Sequence, residues 1–187
     1  MEAFQEYDEA YGPHTIRDIE ALPEGQKAEL IDGYIYMMGT PNTVHQRLSG
    51  EIHAEIRNYI KGKKGSCRAY TAPCAVYLDE KKTEKHWVEP DIFVVCSADR
   101  IHEDGIYGPP DWVIEIVSPS SIATDFIKKV NLYEYYGVKE YWIVNPMKGI
   151  VTTFLYSPKL QTSQYTFDDE ISPVLFPELI LKISELL

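Results

Sequence analysis

Long apolar runs are missing from this 187-residue sequence. None approaches the roughly 20 residues that a membrane-spanning helix needs. The opening stretch, MEAFQEYDEA, is acidic and lacks the apolar core of a secretory signal. The expectation is a soluble, cytoplasmic protein with no membrane partner. Cysteine is scarce too: Cys67, Cys74 and Cys96 are scattered, with no C-x-x-C pair. That argues against a disulfide framework or a structural zinc site, and three reduced thiols are expected. Positive charge is in deficit. Eighteen Lys and Arg face 29 Asp and Glu, for a net charge of −11. Nucleic-acid binding by bulk charge is therefore disfavoured. Local patches are not, and basic residues do gather at Arg57, Lys61, Lys63, Lys64 and Arg68, and again at Lys81, Lys82 and Lys85. There is no glycine-rich phosphate loop and no G-x-S-x-G elbow.

What is present reads as a globular chain, 44% hydrophobic and 25% charged. Its length suits one domain over 1–187, with 1–14 as a frayed N-terminal segment. TIRDIEALPEG predicts a short helix with Thr15 as its N-cap. AELIDGYIYMM predicts a hairpin turning at Asp32-Gly33. Val44, Leu48, Ile52, Ile56 and Ile60 recur every four residues, which predicts a helix over 43–61. SCRAYTAPCAVYLD reads as one or two strands, WVEPDIFVVC as a strand after Pro90-Asp91, and RIHEDGIYGPP as a long loop. A strand over 111–118 follows, then a helix over 124–136 that stops at Gly137. KEYWIVNP and GIVTTFLYS predict two more strands, Tyr165 and Phe167 mark another, and the tail PELILKISELL reads as a short strand or capping helix. This order gives an α/β (α+β) fold: a central mixed β-sheet flanked by helices.

One residue does not belong. Glu115 sits inside the apolar run Trp112–Val117, where a lone carboxylate costs several kcal/mol, roughly, unless something pairs with it. Asp91 opens the comparable run Ile92-Phe93-Val94-Val95. If those strands are neighbours, the two carboxylates meet. Magnesium takes oxygen ligands and needs only one or two protein carboxylates, so Asp91, Glu115 and the backbone carbonyl of Ile116 form a candidate metal set. Lys129 lies on the following helix. It shares a face with Asp125 at i, i+4, and Tyr133 continues that face. A surface ion pair is the plainer account of Lys129. The sharper one aims it at a scissile phosphate. Glu29, before the Asp-Gly turn, is a further acidic candidate. His45, near a helix N-terminus that favours anions, is a candidate phosphate contact.

Taken in order, AELIDGYIYMM, His45, VEPDIFVV, PDWVIEIVSPSS and TDFIKKVNLYEYYGVKEYWIVNP resemble the Uma-type family of restriction-endonuclease-like proteins, within the PD-(D/E)XK nuclease superfamily. The similarity runs from about residue 27 to the C-terminus, and 111–146 matches in motif and spacing together. The resemblance implies a restriction-endonuclease-like core and cleavage of phosphodiester bonds dependent on Mg2+ (or Mn2+). It implies nucleic acid, DNA foremost, as partner. Pro90-Asp91 matches the PD element and Glu115 the acid of E-x-K. Val117 stands where the superfamily has lysine. Lys129 matches the lysine that this family carries on the next helix, and Glu29 and His45 match the family's glutamate and histidine. A homodimer would suit the cutting of two strands. The alternative is a non-catalytic interaction module that keeps the nuclease fold, favoured by the net charge and the missing strand lysine.

Overall fold

The computed structural model describes residues 13–187 except positions 81, 120, 122 and 123. The N-terminal segment expected to fray lies almost wholly outside the described residues. Helix α1, Ile16–Glu20, begins where Thr15 predicts. The Asp18 carboxylate accepts from the Thr15 backbone N–H at 2.7 Å and from its hydroxyl at 3.1 Å, which closes the N-terminus of a helix too short to hold itself. Strands β1, Ala28–Ile31, and β2, Tyr34–Met37, form the hairpin. Its turn places Asp32 at φ 54° and Gly33 at φ 78°, the left-handed pair that a two-residue hairpin turn demands.

The central sheet has six strands: β3 (Arg68–Thr71), β5 (Ile92–Val95), β8 (Trp112–Ile116), β9 (Glu140–Asn145), β10 (Ile150–Leu155) and β11 (Gln161–Thr166). Their spatial order is β11-β10-β9-β8-β5-β3. The β8–β9 pair is parallel and the others are antiparallel, so the sheet is mixed as the sequence predicts. The parallel pair needs a crossover, and residues 117–139 supply it as a π-helical segment, Thr124–Lys129, running into helix α3, Val130–Tyr136. Gly137 ends α3 in the left-handed conformation.

Alternation along the strands builds two apolar layers. On one face Trp112, Ile114 and Ile116 pack with Leu48, Ile52, Ile56 and Ile60 of α2, Thr43–Gly62. On the other, Val113 and Val117 pack with Val130, Leu132 and Tyr133. Val44, the first residue of the predicted α2 stripe, is 44% exposed, while Leu48, Ile52, Ile56 and Ile60 are buried.

The structure departs from the sequence reading at three further places. The loop expected near 100–110 contains strands β6, Ile101–His102, and β7, Gly105–Tyr107. They join β4, Val76–Tyr77, in a small second sheet. Two- and three-residue strands are too short to show a period. The tail is neither strand nor α-helix. An isolated bridge between Ile171 and Leu181 and a 3-10 turn at Ile183–Glu185 fold it onto the α2 face. Cys67 and Cys96, expected as thiols, form a disulfide. The β3–β5 register pairs Arg68 with Val95, so the next position outward sets the two cysteines face to face. Sequence spacing alone cannot reveal such a register. Cys74 remains a free thiol. The bridge closes a segment with a sequence separation of 29, and such a loop constrains the unfolded chain by about 3–4 kcal/mol. Replacing both cysteines by serine, or adding reductant, should lower the unfolding midpoint accordingly. Identical urea transitions with and without dithiothreitol would show that the bridge is not formed.

Candidate active site

The site is built where β5 and β8 stop pairing. Their register sets Ile92 opposite Ile114, so Asp91 and Glu115 come next on neighbouring strands. There each side chain takes a backbone donor of the other strand. The Asp91 N–H donates to Glu115 Oε2 at 3.1 Å, and the Ile116 N–H donates to Asp91 Oδ2 at 2.8 Å. Two carboxylates thus replace one step of the ladder and are fixed by it.

The apolar surroundings of Glu115 are relieved by a cation. Lys129 closes the π-helical segment and brings its Nζ to 2.8 Å from Glu115 Oε1, 2.8 Å from Glu29 Oε2 and 3.4 Å from Asp125 Oδ1. The Tyr133 hydroxyl donates to Glu115 Oε1 at 3.1 Å, and the Glu89 N–H donates to Glu29 Oε1 at 3.0 Å. Lys129 and Glu115 are each only 4% exposed. Burial pushes the Glu115 carboxyl well above its ordinary range. Lys129 opposes this, while Asp91, Asp125 and Glu29 add to it. Burial also raises the Asp125 carboxyl, against Lys129. For Lys129 burial acts downward, but Glu115, Glu29 and Asp125 outweigh it and hold the ammonium well above its usual value. Lys129 is therefore a fixed positive charge rather than a proton acceptor near neutral pH.

His45 approaches from the opposite layer. Asn42 caps α2 by accepting the His45 N–H at 2.9 Å, and the ring Nε2 lies 3.1 Å from Asp91 Oδ2. Burial lowers the imidazole, but the hydrogen bond and charge of Asp91 outweigh it and raise His45 net above its ordinary value. A histidine raised on folding adds stability that is complete below its unfolded value, about 6.5, and is lost as pH rises through the folded one. The stability advantage of the wild type over His45→Phe should therefore shrink as pH rises from 6 towards 8. A constant difference in urea midpoints over that range would contradict the His45–Asp91 pairing.

All five side chains proposed from sequence thus lie at one end of the sheet: Asp91 and Glu115 on the strands, Lys129 meeting both Glu115 and Glu29, and His45 on Asp91. The Ile116 carbonyl adjoins them along β8, and its N–H is the group that binds Asp91. Asp125 and Tyr133 complete the cluster. Their spacing showed a shared helical face, but nothing in the sequence showed that the face turns onto Glu115. Among the described residues, no group of three or more His, Cys, Asp or Glu side chains converges as a finished metal cage. The donors nonetheless suit a hard cation. Among the described residues, the bonds to the Asp91 carboxylate fall on Oδ2, so Oδ1 keeps its capacity to ligate, and the neighbouring donors are carboxylate and carbonyl oxygens.

A mixed sheet between helical layers, with an aspartate and a glutamate fixed where two adjacent strands stop pairing, defines a restriction-endonuclease-like α+β fold. The chain belongs to the Uma2 family, described as "Putative restriction endonuclease", whose pattern covers residues 14–184. It is also similar to the crystal structure of a "putative nuclease belonging to DUF820" from Anabaena variabilis ATCC 29413. The two share 26% identity at a TM-score of 0.74, over 93% of this chain and 97% of that one. No curated protein matches the sequence.

Proposed function

We propose that this protein is an endonuclease-type hydrolase that cleaves phosphodiester bonds in nucleic acid, DNA foremost, with Mg2+ or Mn2+. The observation that carries the reading is the locking of Asp91 and Glu115 into each other's backbone beside a buried lysine. Such rigidity suits preorganised chemistry. Asp91, Glu115 and the Ile116 carbonyl would hold the metal. When bound, it supplies Lewis acidity and a water of lowered pKa. Lys129, kept charged by its three carboxylates, contributes positive potential where negative charge develops on the phosphoryl group. Glu29 fixes Lys129 from the hairpin side, Tyr133 orients Glu115, and His45 orients Asp91.

A non-catalytic module is the second reading. It is favoured by the three carboxylates already engaging Lys129. Incubating the protein with single-stranded and duplex DNA and RNA, with Mg2+, with Mn2+ and with chelator, separates the two. Cleavage only with metal supports the nuclease; intact substrate in every condition supports the module.

A cytoplasmic setting and a homodimer belong to the same proposal. No helix among the described residues is long and apolar enough to cross a membrane. The Cys67–Cys96 bridge counts against a reducing cytoplasm, and thiol titration of freshly isolated protein tests the setting. Light scattering tests the dimer.

A further inference from the structure

The central sheet ends on one side in an unguarded strand. β11, Gln161–Thr166, reads QTSQYT, with no charge, proline or glycine, and every residue but Tyr165 is exposed. Edge strands are normally blunted by lysine, proline, a bulge or a covering element, because their outward N–H and C=O groups pair with any strand that arrives. The outward groups here can be named. The Phe167 N–H donates to the Gly149 carbonyl at 3.0 Å, so the bonds to β10 fall on Tyr165, Ser163 and Gln161 in the β10–β11 register. Thr162, Gln164 and Thr166 therefore face outward. Thr166 is already engaged: its N–H and hydroxyl donate to Asp169 Oδ2 at 2.7 and 2.8 Å. Among the described residues, nothing beyond the strand bonds the backbone of Thr162 or Gln164. The opposite edge, β3, differs, since its Ala69 carbonyl meets His53 Nε2 at 3.2 Å and Arg68 adds charge. Charge also flanks β11 asymmetrically: Lys159 precedes it, Asp168 and Glu170 follow it, and all three are exposed.

We infer that β11 pairs antiparallel with β11 of a second copy, Thr162 against Gln164 of the partner subunit, joining two central sheets into one across a two-fold axis at Ser163. This rests on the homodimer of the proposed function and assigns its surface; the hydrolytic chemistry does not enter it. The register follows from what is open. Within β11, only this pairing uses the N–H and carbonyl groups of both Thr162 and Gln164 in each copy while leaving Thr166 with Asp169. Antiparallel pairing also sets the Lys159 end of each copy beside the Asp168–Glu170 end of the other, so opposite charges meet twice. The strand itself carries no charge to repel its copy. Such an isologous contact uses up both open edges and closes as a dimer rather than growing into a filament. A single strand pair is a small interface, so association is expected at micromolar and higher concentrations.

The test is sedimentation velocity of the full chain over about 5–500 µM, where wild type should pass from monomer to dimer. Thr162→Pro deletes one outward donor per copy, at an edge position where proline leaves the β10 pairing intact, and the dimer Kd should rise about 10-fold or more. Lys159→Glu should also weaken the dimer. Adding Asp168→Lys should restore it, because each reversed charge again meets its opposite. A thermal melt of each variant establishes that it is folded. Wild type that stays monomeric throughout, folded Thr162→Pro that dimerises as wild type does, or a Lys159→Glu variant that the second substitution does not rescue overturns the inference. In the first case the homodimer falls with it; in the second the dimer stands on another surface. The nuclease reading is decided separately by cleavage, since β9 and β10 lie between β11 and β8.

Discussion

Replacing Lys129 by methionine should destabilise the protein by about 3–5 kcal/mol at neutral pH, the scale on which a buried ion pair fails when one partner is removed. Methionine preserves most of the volume and the apolar stem, so the loss isolates the charge. What remains is Glu29, Glu115 and Asp125, all nearly inaccessible and all previously facing one ammonium. The pH dependence has a definite sign. Burial already raises the Glu115 and Asp125 carboxyls and Lys129 opposes it; without the ammonium both rise further, so their ionisation costs stability as pH rises and costs nothing once they are protonated. The deficit relative to wild type should therefore be largest at pH 7 and shrink towards pH 5. Urea unfolding in chelator at both pH values measures it. A variant as stable as wild type at pH 7 would show that the carboxylates are not held against Lys129.

Glu115→Gln should behave in the opposite way: stable and inactive. The amide keeps the shape, and Lys129 keeps Glu29 and Asp125. One backbone bond from Asp91 is put at risk, while one charge is removed from a crowded anionic cluster. These offset to within about 1 kcal/mol. Activity should fall by on the order of 100-fold or more, the scale of losing one preorganised electrostatic group, because the metal set loses an anionic ligand. Single-turnover cleavage at matched folded fraction measures this. Loss of stability without loss of activity would make Glu115 a purely structural partner of Lys129.

The fold was largely legible because its large elements carry a strong period. The four-residue recurrence from Leu48 to Ile60 states which helix face is buried, the continuous apolar run Trp112 to Val117 marks a strand buried on both faces, and the Asp-Gly turn fixes the first hairpin. Short elements carry no such signal, so β6 and β7 read as loop. The Cys67–Cys96 bridge depends on a strand register that no local pattern encodes. For the candidate site, sequence exposed the contradictions, an acid in each of two apolar strands, and marked Glu29 and His45 as weaker candidates that the resemblance then matched to the family's pattern. Sequence could not show that Asp91 and Glu115 exchange backbone donors, or that Asp125 joins Glu29 and Glu115 around Lys129. Those facts belong to the crossover geometry between β8 and β9. A π-helical turn sets that geometry, and helical spacing does not distinguish such a turn from an ordinary α-helical one.

The central claim is that the buried cluster serves metal-dependent phosphodiester hydrolysis. Its most direct test is end-labelled DNA and RNA, single-stranded and duplex, incubated with Mn2+ or with chelator, comparing wild type and Glu115→Gln. The account predicts internal cleavage products with wild type and metal only. Intact substrate throughout, or equal cleavage by Glu115→Gln, would contradict it.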